Sequence, residues 1–188
     1  MRVPVVDNGG QWTHREYRVL RDLGVETRIV PNTTRREELD ADGVVLSGGA
    51  LSLEGKDDPL GNEGSYLRDD GLPVLAICLG HEFLARHFGG KVARSASPEF
   101  GRVRLTVEDP SHPLFAGTEG EFWVWASHND EVSELPEGFV ALAHSPSCRV
   151  EAMAHRTRPV WGVQFHPEVE PTEHGRQLFE NFLALCRR

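Results

Sequence analysis

The first half of the chain alternates short apolar runs with amphipathic stretches. Val3 to Val6 is an apolar run that ends in the turn-forming DNGG, and Trp12 to Leu23 follows with Tyr17, Leu20 and Leu23 at helical spacing before Gly24. VETRIV (Val25 to Val30) predicts a second strand, RREELD a short helix, GVVL (Gly43 to Leu46) a third strand and PVLAI a fourth. Strands separated by helical patterns imply a parallel sheet with right-handed crossovers. After Gly90 the texture changes. VRLTV, EFWVWA, FVALAH, RVEAMA and VWGVQF are short β-rich runs split by Pro, Gly and Ser, and they predict antiparallel strands, some returning to the sheet. Thr172 to Leu185 closes the chain as a helix, with Leu178, Phe179, Phe182, Leu183 and Cys186 on one apolar face. The expected fold is α/β: a single domain over 1–188, with an open mixed, mostly parallel sheet flanked by helices and extra antiparallel strands in the C-terminal half.

Composition narrows the functions this fold can serve. A chain of 188 residues buries one good core. The net charge of -9, with acids and bases scattered, lacks the basic patch that phosphate backbones need, so no nucleic-acid contact is expected. The opening MRVPVVDNGG is too soon interrupted for a signal peptide, and no apolar run reaches membrane-spanning length, so no membrane contact and a cytoplasmic location are expected. Cys78, Cys148 and Cys186 show no C-x-x-C spacing, which supports neither a disulfide framework nor a zinc knuckle.

The run Val74 to Ile77 leads directly into Cys78-Leu79-Gly80 and a helix-like segment. Reactive groups in an open parallel sheet collect at the carboxyl ends of strands, so Cys78 stands where a site would form. A strand, a tight glycine-containing turn and a helix is the layout of a nucleophile elbow, and N–H groups at the helix N-terminus would favour the thiolate. Core packing is the alternative for this thiol. A nucleophile also needs a base, an orienting acid and an oxyanion hole. In GVQFHPEVEPT the strand VWGVQF ends at His166, and Pro167 fixes the backbone so that Glu168 can turn back toward the imidazole; a solvent-facing pair is the alternative. H-P-E is similar to the H-x-E of zinc deaminases, but no P-C-x-x-C supplies further ligands, so no metal site is expected. VVLSGGALS (Val44 to Ser52) is another strand end, where glycines let backbone N–H groups approach a ligand. Gly49 and Leu79 are the candidate oxyanion donors, and Gly48 a candidate substrate contact. The rival for this loop is a phosphate cradle like that of ATP pyrophosphatases, whose pattern carries an acid where Leu51 stands.

In this order, S-G-G, C-L-G-H and G-V-Q-F-H-P-E resemble the class I, triad-type glutamine amidotransferases, from Val3 to the final helix. The resemblance implies a flavodoxin-like fold and a Cys-His-Glu triad that hydrolyses the side-chain amide of L-glutamine and hands ammonia to a synthetase. Cys78 matches the nucleophile, His166 the general base and then acid, and Glu168 the orienter. V-D-N-G-G-Q, W-A-S-H-N-D-E-V (Trp125 to Val132), V-E-A-M at Val150 and T-E-H-G-R-Q-L-F-E-N-F resemble the separate, archaeal-type glutaminase subunits of GMP synthase. That implies Ser127, His128 and Asn129 as the segment whose backbone holds the amino-acid end of glutamine, with a polar loop as the alternative for His128 and Asp130. It also implies a partner, a GMP synthase ATP-pyrophosphatase subunit that uses ATP and Mg to convert XMP to GMP, and no cofactor in this chain.

Two positions depart from the family pattern. Ala50 stands where proline usually follows S-G-G, which would loosen the loop presenting the Gly49 N–H. Glu82 stands where the family has glutamine; on a helix it lies one turn after Cys78, facing the substrate pocket. An ionised carboxylate there would attract the α-ammonium of glutamine, repel its α-carboxylate and raise the thiol pKa, unless Glu82 turns outward to solvent. Two other functions stay open on these residues: a catalytically weakened regulatory or scaffold subunit, and a stand-alone γ-glutamyl hydrolase.

Overall fold

The structure, a computed structural model, describes residues 1–55, 60–68 and 71–187. Its elements are β1 (Val5–Asp7), α1 (Thr13–Asp22), β2 (Ile29–Pro31), β3 (Val44–Leu46), β4 (Val74–Ile77), α2 (Leu79–His87), β5 (Lys91–Val107), β6 (Glu121–Glu134), β7 (Phe139–His144), β8 (Ala152–His155), β9 (Val160–Val163) and α3 (Gly175–Leu185). Among the described residues the strands form one sheet in the order β2-β1-β3-β4-β9-β8-β7-β5-β6. Pairing is parallel from β2 to β9 and antiparallel from β9 to β6. The parallel part is doubly wound and reverses direction between β1 and β3, where loops at the carboxyl ends open a crevice.

Period-two alternation builds a core on each face of this sheet. Leu75 and Ile77 of β4 pack with Leu20 of α1 and with Leu178, Phe179 and Phe182 of α3. Val74 and Ala76 pack with Phe83 and Leu84 of α2 on the opposite face. Every residue of β4 is buried, as befits a parallel strand covered on both sides.

The single α/β domain and its mixed sheet agree with the sequence pattern, whereas several local elements do not. RREELD forms only a 3-10 turn, Arg36–Glu38, and VETRIV pairs through Ile29–Pro31 with an isolated bridge at Glu26. VRLTV is the end of a strand of 17 residues. Pro98 and the polar residues around it hide the rest of β5, and its pairing with β6 shifts register between Arg94 and Glu99. W-A-S-H-N-D-E-V is strand rather than loop: Ala126, His128, Asp130 and Val132 point inward along β6. Among the described residues no helix is long and apolar enough to cross a membrane.

Candidate active site

The carboxyl ends of β1, β3 and β4 and the segment after β9 surround a cavity of about 450 Å³. Cys78 enters it directly from β4 with φ 51 and ψ -107, a conformation that costs a residue with a Cβ roughly 1–3 kcal/mol. Two backbone bonds hold the turn: the Cys78 N–H donates to Val163 O at 2.8 Å, and the Glu82 N–H donates to Cys78 O at 3.0 Å. Gly80 makes the turn possible, because a Cβ there would lie 2.7 Å from Leu46 O. The elbow expected from the sequence is therefore present.

His166 and Glu168 form a buried pair, with Nδ1 2.6 Å from Glu168 Oε1 and side chains 6% and 0% exposed, so they do not face solvent. The His166 backbone N–H donates to Trp125 O at 2.9 Å, which ties the pair to β6. Gly48 lies between the pair and the thiol: a Cβ on it would stand 3.2 Å from His166 Cε1 and 3.5 Å from Cys78 Cβ. Gly49 backs onto Leu79, whose Cδ2 would be 2.5 Å from a Cβ at this position. Cys78, His166, Glu168, Gly48, Gly49 and Leu79 are thus brought to one cavity. Ser47 and Ser52 do not make a phosphate cradle, since Ser47 Oγ accepts the Asn8 N–H at 2.9 Å and Ser52 Oγ donates to Asp130 Oδ2. Besides Glu16, whose pKa burial and Glu168 raise, the described lining contains Glu82, Asp130 and Glu168 but no lysine or arginine, a charge pattern suited to an ammonium and hostile to phosphate.

Burial, then the Glu82 and Glu168 carboxyls, push the Cys78 thiol pKa up, and the Leu79 N–H opposes them. Cys78 is therefore held as a thiol, against the expectation that the helix terminus would favour thiolate. Cys78 Sγ lies 3.9 Å from Ser127 O and 3.8 Å from Gln164 Nε2. Glu82 is 3% exposed, lines the cavity and accepts from Gln164 Nε2 at 3.0 Å, so it does not turn outward. Burial raises its pKa to about 7, with Gln164 opposing. Near neutrality it is both acid and carboxylate, whereas the sequence pattern suggested a permanent anion.

Ser127, His128 and Asn129 form the β6 wall of the cavity. The His128 ring points into the protein, with Nε2 3.0 Å from Glu99 Oε2 and Nδ1 2.8 Å from Asp130 O. Ser145 and Ser147 donate to the other Glu99 oxygen. Burial disfavours charge on His128, but the Glu151 and Glu99 carboxyls outweigh it and raise its pKa to about 10. Burial likewise opposes ionisation of Glu99, and His128 with the two serines brings it down to about 2. His128, Cys148 and Glu151 place metal-ligating atoms within 4.8 Å of one another, a cluster that cysteine spacing did not announce. Both ring nitrogens of His128 are already engaged, which makes this an ion pair rather than an open ligand set. His81 of C-L-G-H is structural: its Nε2 is 3.1 Å from Val150 O, and burial depresses its pKa to about 3.

Four residues at or beside the site went unnoticed in the sequence. Trp12 meets the His166 ring edge-on, with centroids 4.4 Å apart. Glu16 is buried in the α1 stripe of Thr13, Glu16 and Leu20, and a charge in such a stripe was the available signal. Gln164 precedes His166 by two residues in a strand-like run, and Glu99 sits directly opposite His128 across β5 and β6.

Residues 4–186 match the family described as glutamine amidotransferase class-I. A relative from Thermoplasma acidophilum, named as a subunit of glutamine-hydrolyzing GMP synthase, is 49% identical over 187 residues and is aligned over 99% of this chain and 93% of that protein. A protein of the same name from Natronomonas pharaonis is 48% identical, covering 98% and 97%. A solved Thermoplasma acidophilum structure, described as that of a GMP synthase subunit, is 48% identical and superposes with a TM-score of 0.93 over 100% of this chain and 94% of that one. A glutamine amidotransferase from Thermotoga maritima, at 18% identity and a TM-score of 0.74 over 100% and 82%, shares the fold. With a match that spans nearly its whole length, the chain belongs to the class-I glutamine amidotransferase family.

Proposed function

We propose that this chain is the glutaminase subunit of a two-subunit GMP synthase, hydrolysing L-glutamine to glutamate and ammonia. The observation that carries it is the strained elbow of Cys78 beside the buried His166–Glu168 pair, in a chain 49% identical to a protein named for that synthase. His166 takes the thiol proton as Cys78 Sγ attacks the amide carbon. The N–H groups of Gly49 and Leu79 face the oxyanion, where losing one donor costs about 2.7–4 kcal/mol of barrier stabilisation. The C–N bond then breaks, His166 returns the proton to nitrogen, and ammonia leaves a thioester. Water attacks this thioester with His166 again as base, releasing glutamate and restoring the thiol. Glu168 holds the imidazole and balances its charge. Because burial keeps Cys78 protonated, base catalysis by His166 has to form the thiolate as substrate arrives.

The carboxyl-lined pocket suits the α-ammonium of glutamine, and the backbone of Ser127, His128 and Asn129, with Gly48 and Glu82, completes the substrate site. Phe100, 65% exposed, and Leu51, 37% exposed, leave apolar surface beside the cavity for an ATP-pyrophosphatase subunit, which supplies ATP and Mg chemistry from its own site. The assembly works in the cytoplasm and this chain needs no cofactor of its own. The test is glutamate release with and without that subunit, XMP and ATP-Mg. A partner-dependent rise of about 10- to 100-fold, worth about 1.4–2.8 kcal/mol, is expected. Full turnover without a partner would favour a stand-alone hydrolase, and no turnover in either condition a regulatory subunit.

A further inference from the structure

The first turn of α1 lies behind the His166–Glu168 pair. Trp12, at its N-terminal boundary, packs edge-on against the imidazole. Glu16 follows four residues later, on the same side of the helix. Its side chain is 1% exposed and lines the cavity together with Glu168. Glu168 Oε1 is taken by His166, but Glu168 Oε2 and Glu16 Oε2 are both buried without a hydrogen-bond partner. Glu16, Gly48 and Glu168 line the same cavity, where the Glu168 charge raises the Glu16 pKa and the Gly48 N–H lowers it. Idle buried acceptors are costly, and two neighbouring acids with one idle oxygen each are both satisfied by a single proton between them.

We propose that Glu16 is a positioning residue, a neutral carboxylic acid whose O–H donates to Glu168 Oε2 while its carbonyl oxygen accepts the Gly48 N–H. One side chain would then brace two parts of the machinery. Toward β9 it fixes the carboxylate that orients His166; toward β3 it fixes the loop that presents the Gly49 N–H. This inference rests on the triad proposed above. The titratable groups facing Glu16 are Glu168, Asp7 and Glu63, with His166 beyond Glu168. Burial and then Glu168 are the main causes that raise its pKa, with Asp7 and Glu63 adding to them and the Gly48 N–H opposing. Ionisation at high pH removes the shared proton and sets a second negative charge against Glu168, so kcat should carry an alkaline loss that belongs to Glu16.

A glutamine side chain at this position has the same shape, can donate to Glu168 and accept from Gly48, and does not titrate. The experiment is steady-state glutamine hydrolysis by the full chain with its synthetase subunit, for wild type, Glu16→Gln and Glu16→Leu, from about pH 6 to about pH 10. Glu16→Gln should keep kcat within about threefold at neutral pH and lose the alkaline limb, while Glu16→Leu lowers kcat about 10- to 100-fold with KM little changed. Wild-type kcat in a folded Glu16→Leu, equal damage from both substitutions, or an unchanged alkaline limb in Glu16→Gln would each overturn the proposal. Where Glu16→Leu fails to fold, the Glu16→Gln profile decides. Cys78→Ala separates the two levels of inference: turnover in that variant removes the triad itself, whereas its inactivity beside a normal Glu16→Leu removes only the role of Glu16.

Discussion

Among the described residues two buried histidine–glutamate pairs, His128–Glu99 and His166–Glu168, flank the cavity, and they differ in what the second ring nitrogen meets. His128 has Glu99 on Nε2 and Asp130 O on Nδ1, and its side chain is 1% exposed. His166 has Glu168 on Nδ1 and lines the cavity with Cys78, where the proposed function has its Nε2 take the reacting proton. The same chemical pair is a brace where both nitrogens are engaged by protein and, under the proposed function, a base where one is offered to substrate. Serines satisfy Glu99, yet buried carboxyl oxygens are left without partners on both sides: the two of Glu151 beside His128, and Glu168 Oε2 and Glu16 Oε2 on the His166 side.

The largest effect that would break this contrast is on turnover. Cys78→Ala should drop glutamine hydrolysis by about 10³-fold or more, with a folded chain that a glutamine-like electrophile no longer labels. His166→Ala should lose activity comparably at a smaller cost in Tm, because removing a ring that lines the cavity opens Glu168 to water. His128→Ala should do the reverse to stability: stranding Glu99 in the interior costs about 3–5 kcal/mol. Calorimetry and ammonia release on both histidine variants check this. Equal Tm losses would mean that the two pairs are interchangeable braces.

A smaller effect belongs to Glu82. As a protonated acid it can donate and accept as glutamine does, and as a carboxylate it can only accept. With a pKa of about 7, the penalty of the carboxylate grows with pH. Glu82→Gln should therefore raise kcat/KM about tenfold near pH 8 and change it little near pH 6. Parallel pH profiles of the variant and wild type, measured with the synthetase partner present, would contradict it.

The smallest effect is on the pH dependence of stability. Burial raises Glu63 and Glu151 to about 8 and Glu82 to about 7, so the folded state holds protons that the unfolded chain has released. Their contribution is present below about pH 4.5 and is lost as pH rises through those values. His128 acts in the same sense, losing its contribution from about pH 6.5 upward through its folded pKa of about 10. Glu99 and buried neutral His81 limit the acid side, losing theirs as pH falls through about 2 and about 3. Tm should peak at about pH 4.5, where the losses of Glu63, Glu151 and Glu82 begin to outweigh the gain from His81, and fall by several degrees toward about pH 9, more shallowly in Glu63→Gln. A Tm that climbs over this range would refute the sign.

What was legible in the sequence followed from local chemistry. Val74 to Ile77 is apolar on both faces, Cys78 follows it at once, and His166 and Glu168 sit at the end of another apolar run, so the site side of the parallel sheet could be read residue by residue. The β5–β6 hairpin could not. Its 17-residue strand is half exposed and interrupted by Pro98, and Glu99 owes its role to His128 across the register. Glu16 and Trp12 were silent for a related reason: they share the cavity with residues some 150 positions away, and an amphipathic pattern reports only which side of a helix is covered.

The pairing of β4 with β9 has a consequence for the order of synthesis. Val74 bonds in register with Val160, so the strand that brings His166 beside Cys78 is among the last made. At about 5–20 residues per second the ribosome needs roughly 4–17 s to travel between them. Throughout that interval the thiol exists without the residue proposed as its base, and its strand has an open edge where β9 belongs. A ribosome-bound chain halted at Val150 should accordingly carry Cys78 yet show no labelling by a glutamine-like electrophile, and labelling should appear only once the segment through Glu168 has emerged. The nascent chain is chemically quiet until its sheet closes.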